Sequence, residues 1–443
     1  MLRRMSKPVS GFSKKNKEEK IQWLIENYLV DVPNARELLT SYWHTNPKTQ
    51  GLHDDFIENT LTNYYLPFGV APNFLINGTL YALPMVIEES SVVAAAGNAA
   101  KFWLDRGGFK AEVISTEKNG QIHFNYFGKK TALETFFESV QPELLESIEH
   151  IQKNMKKRGG GLIDLELIDG TETLEGYYQI HCRFETGDAM GANFINSCLE
   201  AIAARFEEKA QTHAAFLSED TLPEVVLSIL SNYVPECRVR AEVSCNVSAL
   251  GKTEQEGITF AQKFVRAIEI AKSETRRAVT HNKGIMNGID ALILATGNDF
   301  RAVEAGVHAY AARNGYYSSL THAKIEDGIF TFWIELPLAL GTVGGLTSLH
   351  PMVKLAFSIL QKPNAKELMQ IVAVAGLAQN FAAVRSLVTT GIQKGHMKMH
   401  LMNILNQLEA TTNEKAAAIA HFADHSVSHA NVTAFINSHR NSS

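Results

Sequence analysis

The 443-residue chain contains no G-x-G-x-x-G, so it carries no Rossmann-type dinucleotide fingerprint. It has no H-E-x-x-H either, which removes the commonest zinc-protease signature. Its four cysteines, Cys182, Cys198, Cys237 and Cys245, show no C-x-x-C spacing. That excludes a redox dithiol or ribbon-type zinc site and points to reduced thiols in a cytoplasmic protein. Charge of one sign is scarce: a net charge of −5 gives no general basic field for nucleic acid. The basic clusters Lys14 to Lys20 and Lys153 to Arg158 read as solvated faces. No window reads as the roughly 20 apolar residues of a membrane span, so none is expected. The basic N-terminus MLRRMSKPVSGF lacks the apolar stretch of a secretory signal.

What is present is a globular composition, 45% hydrophobic and 20% charged, at a length that suits two or three domains. Residues 16–47 carry helical periodicity and read as N-terminal helices on a larger body. LPFGVAPNFLING suggests a turn and strand, and from Ser91 small apolar residues suggest a helix packed on all sides. FKAEVIST and QIHFNYF alternate as strands around Lys118-Asn119-Gly120, which predicts a hairpin. Residues 131–156 predict one long amphipathic helix, stopped by Lys-Lys-Arg and three glycines. Strands over GLIDLELI and TLEGYYQIHCRFE follow, then a helix from DAMGAN onward. The order ββαββα predicts a compact antiparallel unit inserted in a larger domain. The expected fold class is α+β. A mostly helical large domain covers 1–108 and 216–385, a small antiparallel α/β domain 109–215, and short helices 386–443.

The stretch THNKGIMNGIDALILATGND, Thr280 to Asp299, sets Lys283 in a polar, glycine-punctuated turn. An apolar run follows, read as a strand that delivers Asp299 to a site. An ammonium so placed can stabilise an oxyanion or relay a proton; the plain alternative is a structural Lys–Asp pair. Glu88 and Glu89 put two carboxylates at the edge of an apolar segment. Adjacent side chains on a strand diverge, so at most one enters a given pocket. Desolvation there makes a general acid, whereas a helix start makes a dipole partner. DAMGAN, 188–193, opens a helix whose free amides suit a phosphate or ribose, or is a helix start alone. GTVGG, 341–345, is a close-packed bend or a ligand contact. KGHMKMH carries His396 and His400 four apart, a spacing that holds a metal only with a third ligand. None is evident, so no metal is expected, and a single His acting as an acid near neutral pH fits better.

NYYLPFGVAPNFLING, LPMVIEESSVVAAAGNAAKF, DAMGANFINS, THNKGIMNGIDALILATGNDFRAVEAGVHAYAAR, ELPLALGTVGGLTSLHP and GIQKGHMKMH cover most of residues 55–400. In these motifs and their order the chain resembles the 3-hydroxy-3-methylglutaryl-coenzyme A (HMG-CoA) reductases of class II, the soluble bacterial type. The resemblance implies a catalytic set of Glu89, Lys283, Asp299 and His396. It implies substrate contacts at Ser91, Arg277 and Asn287, and cofactor contacts at Asp188, Ala189, Met190, Gly191 and Asn193. Two positions depart from the family. Ser90 stands where proline usually follows the glutamate, which loosens the backbone beside Glu89. Gly97 stands where serine is common.

The implied reaction is the four-electron reduction of HMG-CoA to mevalonate and coenzyme A with two NADPH or NADH. Lys283, sequestered from solvent, would stabilise the oxyanion, and Asp299 would support that charge and tune Glu89. Glu89 would protonate the oxygen in the aldehyde step. His396 would protonate the leaving thiolate from a mobile C-terminal flap. The small domain would be ferredoxin-like and hold the nicotinamide cofactor. A homodimer or a multiple of it is implied, with the site at its interface and no nucleic-acid or membrane partner. The rivals are the same enzyme oxidising mevalonate with NAD and coenzyme A, and a non-catalytic homologue that binds coenzyme A. Asp164 would select the bare ribose of NADH, while Lys157 and Arg158 would favour the 2′-phosphate of NADPH.

Overall fold

A computed structural model of the protein describes residues 8–216, 221–389 and 393–441, with side chains from residue 400 onward in the last stretch. It mixes helix and sheet, at 51% helix and 19% strand. The chain divides into two compact units at Pro67, so the expected 1–108 segment is not one piece. The first unit holds α1 (Lys17–Tyr28), α2 (Ala35–Ser41) and α3 (Pro47–Asp54). Asn16 and Glu19 form a capping box at the start of α1. Lys17 ties α1 to α3 through Asp54 at 2.7 Å, with its ammonium 4.0 Å over the Trp43 ring.

In the second unit β1 (Phe68–Ile76) and β2 (Thr79–Val86) form a hairpin across Asn77-Gly78, both at positive φ. α4 (Val92–Leu104) buries Val92, Ala96, Ala99, Ala100 and Trp103, as its small residues predict. β3 (Lys110–Val113) does not fold back on β4 (Lys118–Asn125). Lys118-Asn119-Gly120 is no turn; these residues begin β4 and pair with Phe184, Arg183 and Cys182. The glycine is there for packing, since a Cβ on Gly120 would stand 2.6 Å from Leu199 and 3.0 Å from the Leu230 backbone.

The expected single helix over 131–156 is two, α5 (Lys130–Ser147) and α6 (Glu149–Lys156), meeting at Ile148. β5 (Gly161–Asp169), β6 (Tyr177–Glu185), α7 (Ala192–Ala210) and β7 (Glu224–Leu230) complete this body. Its antiparallel sheet runs β5-β6-β4-β7. The order is therefore βαββαβ, not ββαββα. One strand left the unit at its start and another joined at its end, which moves both expected boundaries, 109 and 215. Ile122, Phe124, Phe136, Phe184 and Phe206 form its core.

β3 instead joins β8 (Arg238–Asn246) in a second antiparallel sheet. After α8 (Glu254–Ser273), α9 (Thr275–Ala295) and α10 (Phe300–Ala311), β9 (Thr321–Glu326) and β10 (Ile329–Pro337) complete it in the order β3-β8-β10-β9. The region expected to be mostly helical thus encloses a four-stranded sheet. α11 (Leu346–Leu349) and α12 (Pro351–Ile359) lead to α13 (Ala365–Val388). Contrary to expectation, α13 is long and apolar enough to cross a membrane. Here it is a core helix, buried on every side from Leu368 to Phe381 and packed on α9. Last come α14 (Gln393–Gln407), α15 (Thr412–His421) and α16 (His429–Asn441), with a small core of their own around Leu405, Ala418 and Val432.

Candidate functional site

Lys283 lies in mid-helix, not in a turn, and no strand leads to Asp299. α9 runs unbroken through the lysine, started by Glu274, whose carboxylate accepts the Arg276 and Arg277 amides. Its glycines punctuate nothing. A Cβ on Gly288 would stand 2.6 Å from the Ala375 carbonyl, and one on Gly376 would meet Ile289 and Ile285. They let α9 and α13 approach closely, and the apolar run between Ile285 and Ile293 is the buried side of that contact.

The inner face of α9 is anchored by two polar residues the sequence did not single out. His281 Nε2 lies 2.6 Å from Thr321 Oγ1, and Asn282 bonds both the Ser318 carbonyl and the Leu320 amide. Burial, then the Arg277 charge, pushes the His281 pKa down to about 3. No periodic signal marks these two; only their neighbours in space do. Arg277 is half-buried, 3.4 Å from His281 Nδ1, and burial lowers its pKa too.

On the outer face Lys283 and Asn287 lie one turn apart and share a direction. Lys283 Nζ donates to Glu89 Oε2 at 2.9 Å, and Asn287 Nδ2 to the same oxygen at 3.3 Å. Glu89 sits half-buried between β2 and α4, while Glu88 is exposed, so only one of the pair enters the site. Ser91 caps the start of α4 without a side-chain bond to it. The expectation of a sequestered ammonium fails within one chain: the Lys283 side chain is 62% exposed. Asp299 is also elsewhere. It is the N-cap of α10, accepting the Arg301 and Ala302 amides, with the Arg301 guanidinium at 3.0 Å. No hydrogen bond or ion pair joins it to Lys283 or Glu89 among the described residues. From Lys283 to the end of α9 alone the helix rises about 18 Å. His396 falls in the first turn of α14, and its side chain lies outside the described residues.

Asp299 borders a cleft of about 410 Å³ with Ala189, Met190, Gly191 and Asn193 on one side and the 341–347 loop on another. Gly191, at φ 93°, starts α7 with no side-chain cap, which leaves the first amides of the helix open. Asp188 is committed otherwise. Its carboxylate accepts the Ala365 amide at the start of α13, and its carbonyl the Thr342 amide. Both readings of GTVGG hold at once. The loop is close-packed, since a Cβ on Gly341 would stand 2.5 Å from the Met190 amide nitrogen, and it lines the cleft. Asn298, overlooked beside Asp299, accepts the Gly341 amide at 2.8 Å and holds the loop in place. Asp164 is held by the Arg183 guanidinium, with Nε at 2.8 Å, and neither it nor Lys157 nor Arg158 lines this cleft. Among the described residues no three His, Cys, Asp or Glu side chains gather as a metal site.

Open amides that suit a nucleotide phosphate, and a cation that suits a developing oxyanion, describe a nicotinamide-dependent oxidoreductase acting on a carbonyl. Residues 18–401 match the family model of hydroxymethylglutaryl-coenzyme A reductase, and the chain belongs to that family. The 3-hydroxy-3-methylglutaryl-coenzyme A reductase of Archaeoglobus fulgidus is 37% identical over 420 residues, 93% of this chain and 90% of the relative. A probable reductase of Borreliella burgdorferi is 36% identical over 365 residues, covering 82% and 81%. The class II enzyme of Streptococcus pneumoniae, solved bound to NADPH in open conformations, superposes with a TM-score of 0.71 at 35% identity. That match covers 86% of this chain and 100% of the other. The protein is an NAD(P)-dependent class II HMG-CoA reductase.

Proposed function

We propose that the chain reduces HMG-CoA through Glu89, Lys283, Asp299 and His396, with two hydrides and two protons giving mevalonate and coenzyme A. The 2.9 Å contact between Lys283 and Glu89 carries the reading, because it sets a cation on the rigid face of α9 beside a proton source on the segment between β2 and α4. The nicotinamide cofactor, NADPH or NADH, supplies the hydride when bound. Its phosphates fit the uncapped amides of α7, and Ala189, Met190, Gly191 and Asn193 shape the cleft around it. Asp188 acts by holding that cleft to α13.

At the thioester carbon, hydride arrival moves an electron pair onto oxygen, and the Lys283 ammonium stabilises that charge. Collapse expels the coenzyme A thiolate, which His396 protonates. In the aldehyde step Glu89 delivers its proton to the second alkoxide, completing the primary alcohol. Ser91, Arg277 and Asn287 hold the hydroxymethylglutaryl end. In this reading the βαββαβ body is the ferredoxin-like cofactor domain, and the larger body takes the HMG-CoA. The helices α14 to α16 are the flap that brings His396 to the site.

The active form is a homodimer or a multiple of it. Lys283 is open to solvent in one chain and Asp299 lies at the far end of α9, so a two-fold partner that brings its own Asp299 supports the ammonium and covers it. NAD(P)H oxidation with HMG-CoA tests the activity, and no turnover by the native protein refutes the reading. Mixing Lys283→Ala and Asp299→Ala chains tests the shared site. Two inactive variants should recover about a quarter of native activity on subunit exchange if partners complement as two-fold symmetry allows. No recovery would place all four groups in one chain.

A further inference from the structure

We propose that Asp290 and Glu304 share one proton, and that this proton latches α10 to α9 and so fixes where Asp299 stands. Asp290 continues the outer stripe of α9, in line with Lys283 and Asn287 and about 10 Å beyond the lysine. Glu304 lies on one stripe of α10 with Phe300 and His308. Only the turn 296–298 separates the helices before Asp299 caps the second of them. Both acids are half-buried, and their side chains come within hydrogen-bond reach of each other.

Two carboxylates so close cannot both stay ionised. No neighbouring cation offsets them. Among the described residues neither acid pairs with a lysine, arginine or histidine; Lys283 is committed to Glu89 and Arg301 to Asp299. Asp290 Oδ1 is buried, and no N–H or O–H donor reaches it. A buried acceptor left without a donor is costly. The missing donor is a proton carried by the pair itself, which lets two acids touch without repulsion. Burial, then the hydrogen bond and charge of Glu304, hold the Asp290 pKa far above the usual carboxylate range, so the proton stays through neutral pH.

The surroundings leave this balance alone. Tyr317 faces Glu304 from the segment after α10, with its hydroxyl 2.8 Å from His308 Nδ1, and burial above all raises its pKa, so it too is neutral. Of the other elements packed on α9, β2 and the buried stretch of α13 carry no charged side chain, and the charged residues of α4, α8 and α12 are exposed. With the proton in place, α10 is tied to α9 close to the residue that caps it. Without it, like charges face each other across the helix pair and drive α10 away. Asp290 and Glu304 are thus positioning residues. Their link to catalysis rests on the role proposed for Asp299, whereas the shared proton does not.

Infrared difference spectroscopy of the native, full-length protein across pH tests the proton. A protonated-carboxyl band is expected at neutral pH, shifted by isotope-labelled aspartate or glutamate, lost at alkaline pH, and absent from both Asp290→Asn and Glu304→Gln. Unfolding supplies a second reading. The folded chain keeps a proton that the unfolded aspartate releases, so this contribution is lost as pH rises above the unfolded pKa. Between pH 5 and 7 the native unfolding constant should therefore climb about tenfold more per pH unit than that of Asp290→Asn. For the latch, α10 amides at one alkaline pH should exchange hydrogen severalfold faster in the native protein than in Asp290→Asn, which keeps a hydrogen bond but cannot ionise. Native kcat should fall severalfold at that pH, and the variant should keep its neutral value. An absent band, or one that survives both variants, overturns the shared proton. Equal exchange, or an equal alkaline fall in kcat, overturns the latch. Absence of turnover at every pH would refute the catalytic reading instead, since band, unfolding slope and exchange are measured without substrate.

Discussion

The corner where Glu89 meets Lys283 is made of side chains, whereas the cleft at the start of α7 is made of backbone. At the corner, identity is everything: one ammonium and one side-chain amide converge on a single carboxylate oxygen. At the cleft, shape is everything: Gly191 and Gly341 sit where a methyl group has no room. In the proposed reading the first arrangement would support charge that develops during reaction, and the second would admit a ligand whose phosphates need amides and close approach. A substitution should thus show itself in kcat at the corner and in KM at the cleft.

The largest effect expected is Lys283→Ala. Loss of one oxyanion donor typically costs about 2.7–4 kcal/mol, a hundredfold or more in kcat. Because the lysine is an exposed helical residue, the melting temperature should stay within a few degrees; a large drop would mean the residue holds the fold instead. Next comes the contrast between the two faces of α9. His281 is buried neutral with its pKa pushed down to about 3, so its contribution to stability is complete above pH 6.5 and drains as pH falls toward 3. By pH 5 it should have lost about 2 kcal/mol. His281→Gln should flatten that slope in denaturant titrations across pH 7 to 5, and an unchanged slope would assign the acid sensitivity elsewhere.

At the cleft, Gly341→Ala should raise the KM for NADPH about tenfold, near 1.4 kcal/mol, while kcat changes little. A kcat loss with KM intact would erase the distinction between the two regions. The smallest effect is expected from Gly97→Ser. Its Cβ would stand 3.5 Å from the Pro72 ring, ordinary contact, so stability should change within about 0.5 kcal/mol and activity hardly at all.

Much of this was legible in the residues. The small-residue run after Ser91 is the helix it predicts, and DAMGAN opens a helix. Glu89, not Glu88, faces the lysine. The misreadings share one cause. Asn-Gly at 119–120 and the glycines of the Lys283 stretch were read as turns, yet Gly120 answers Leu199 and Leu230, and Gly288 answers Ala375, neighbours distant in sequence. The exchange of β3 for β7 is of the same kind, because an alternating strand does not announce its partner. His281 and Asn282 went unnoticed since their bonds reach Thr321, Ser318 and Leu320 across the fold.

By itself the sequence determined the chemistry available, which helices start where, and the family to which the chain belongs. Local rules suffice for these, since caps and side-chain pattern act within a few residues. Tertiary structure alone decided that Lys283 rides the open face of a helix and that Asp299 stands a helix length away. Those facts arise from helix crossings and strand pairing between segments far apart in the chain. No local propensity encodes such contacts; packing selects them.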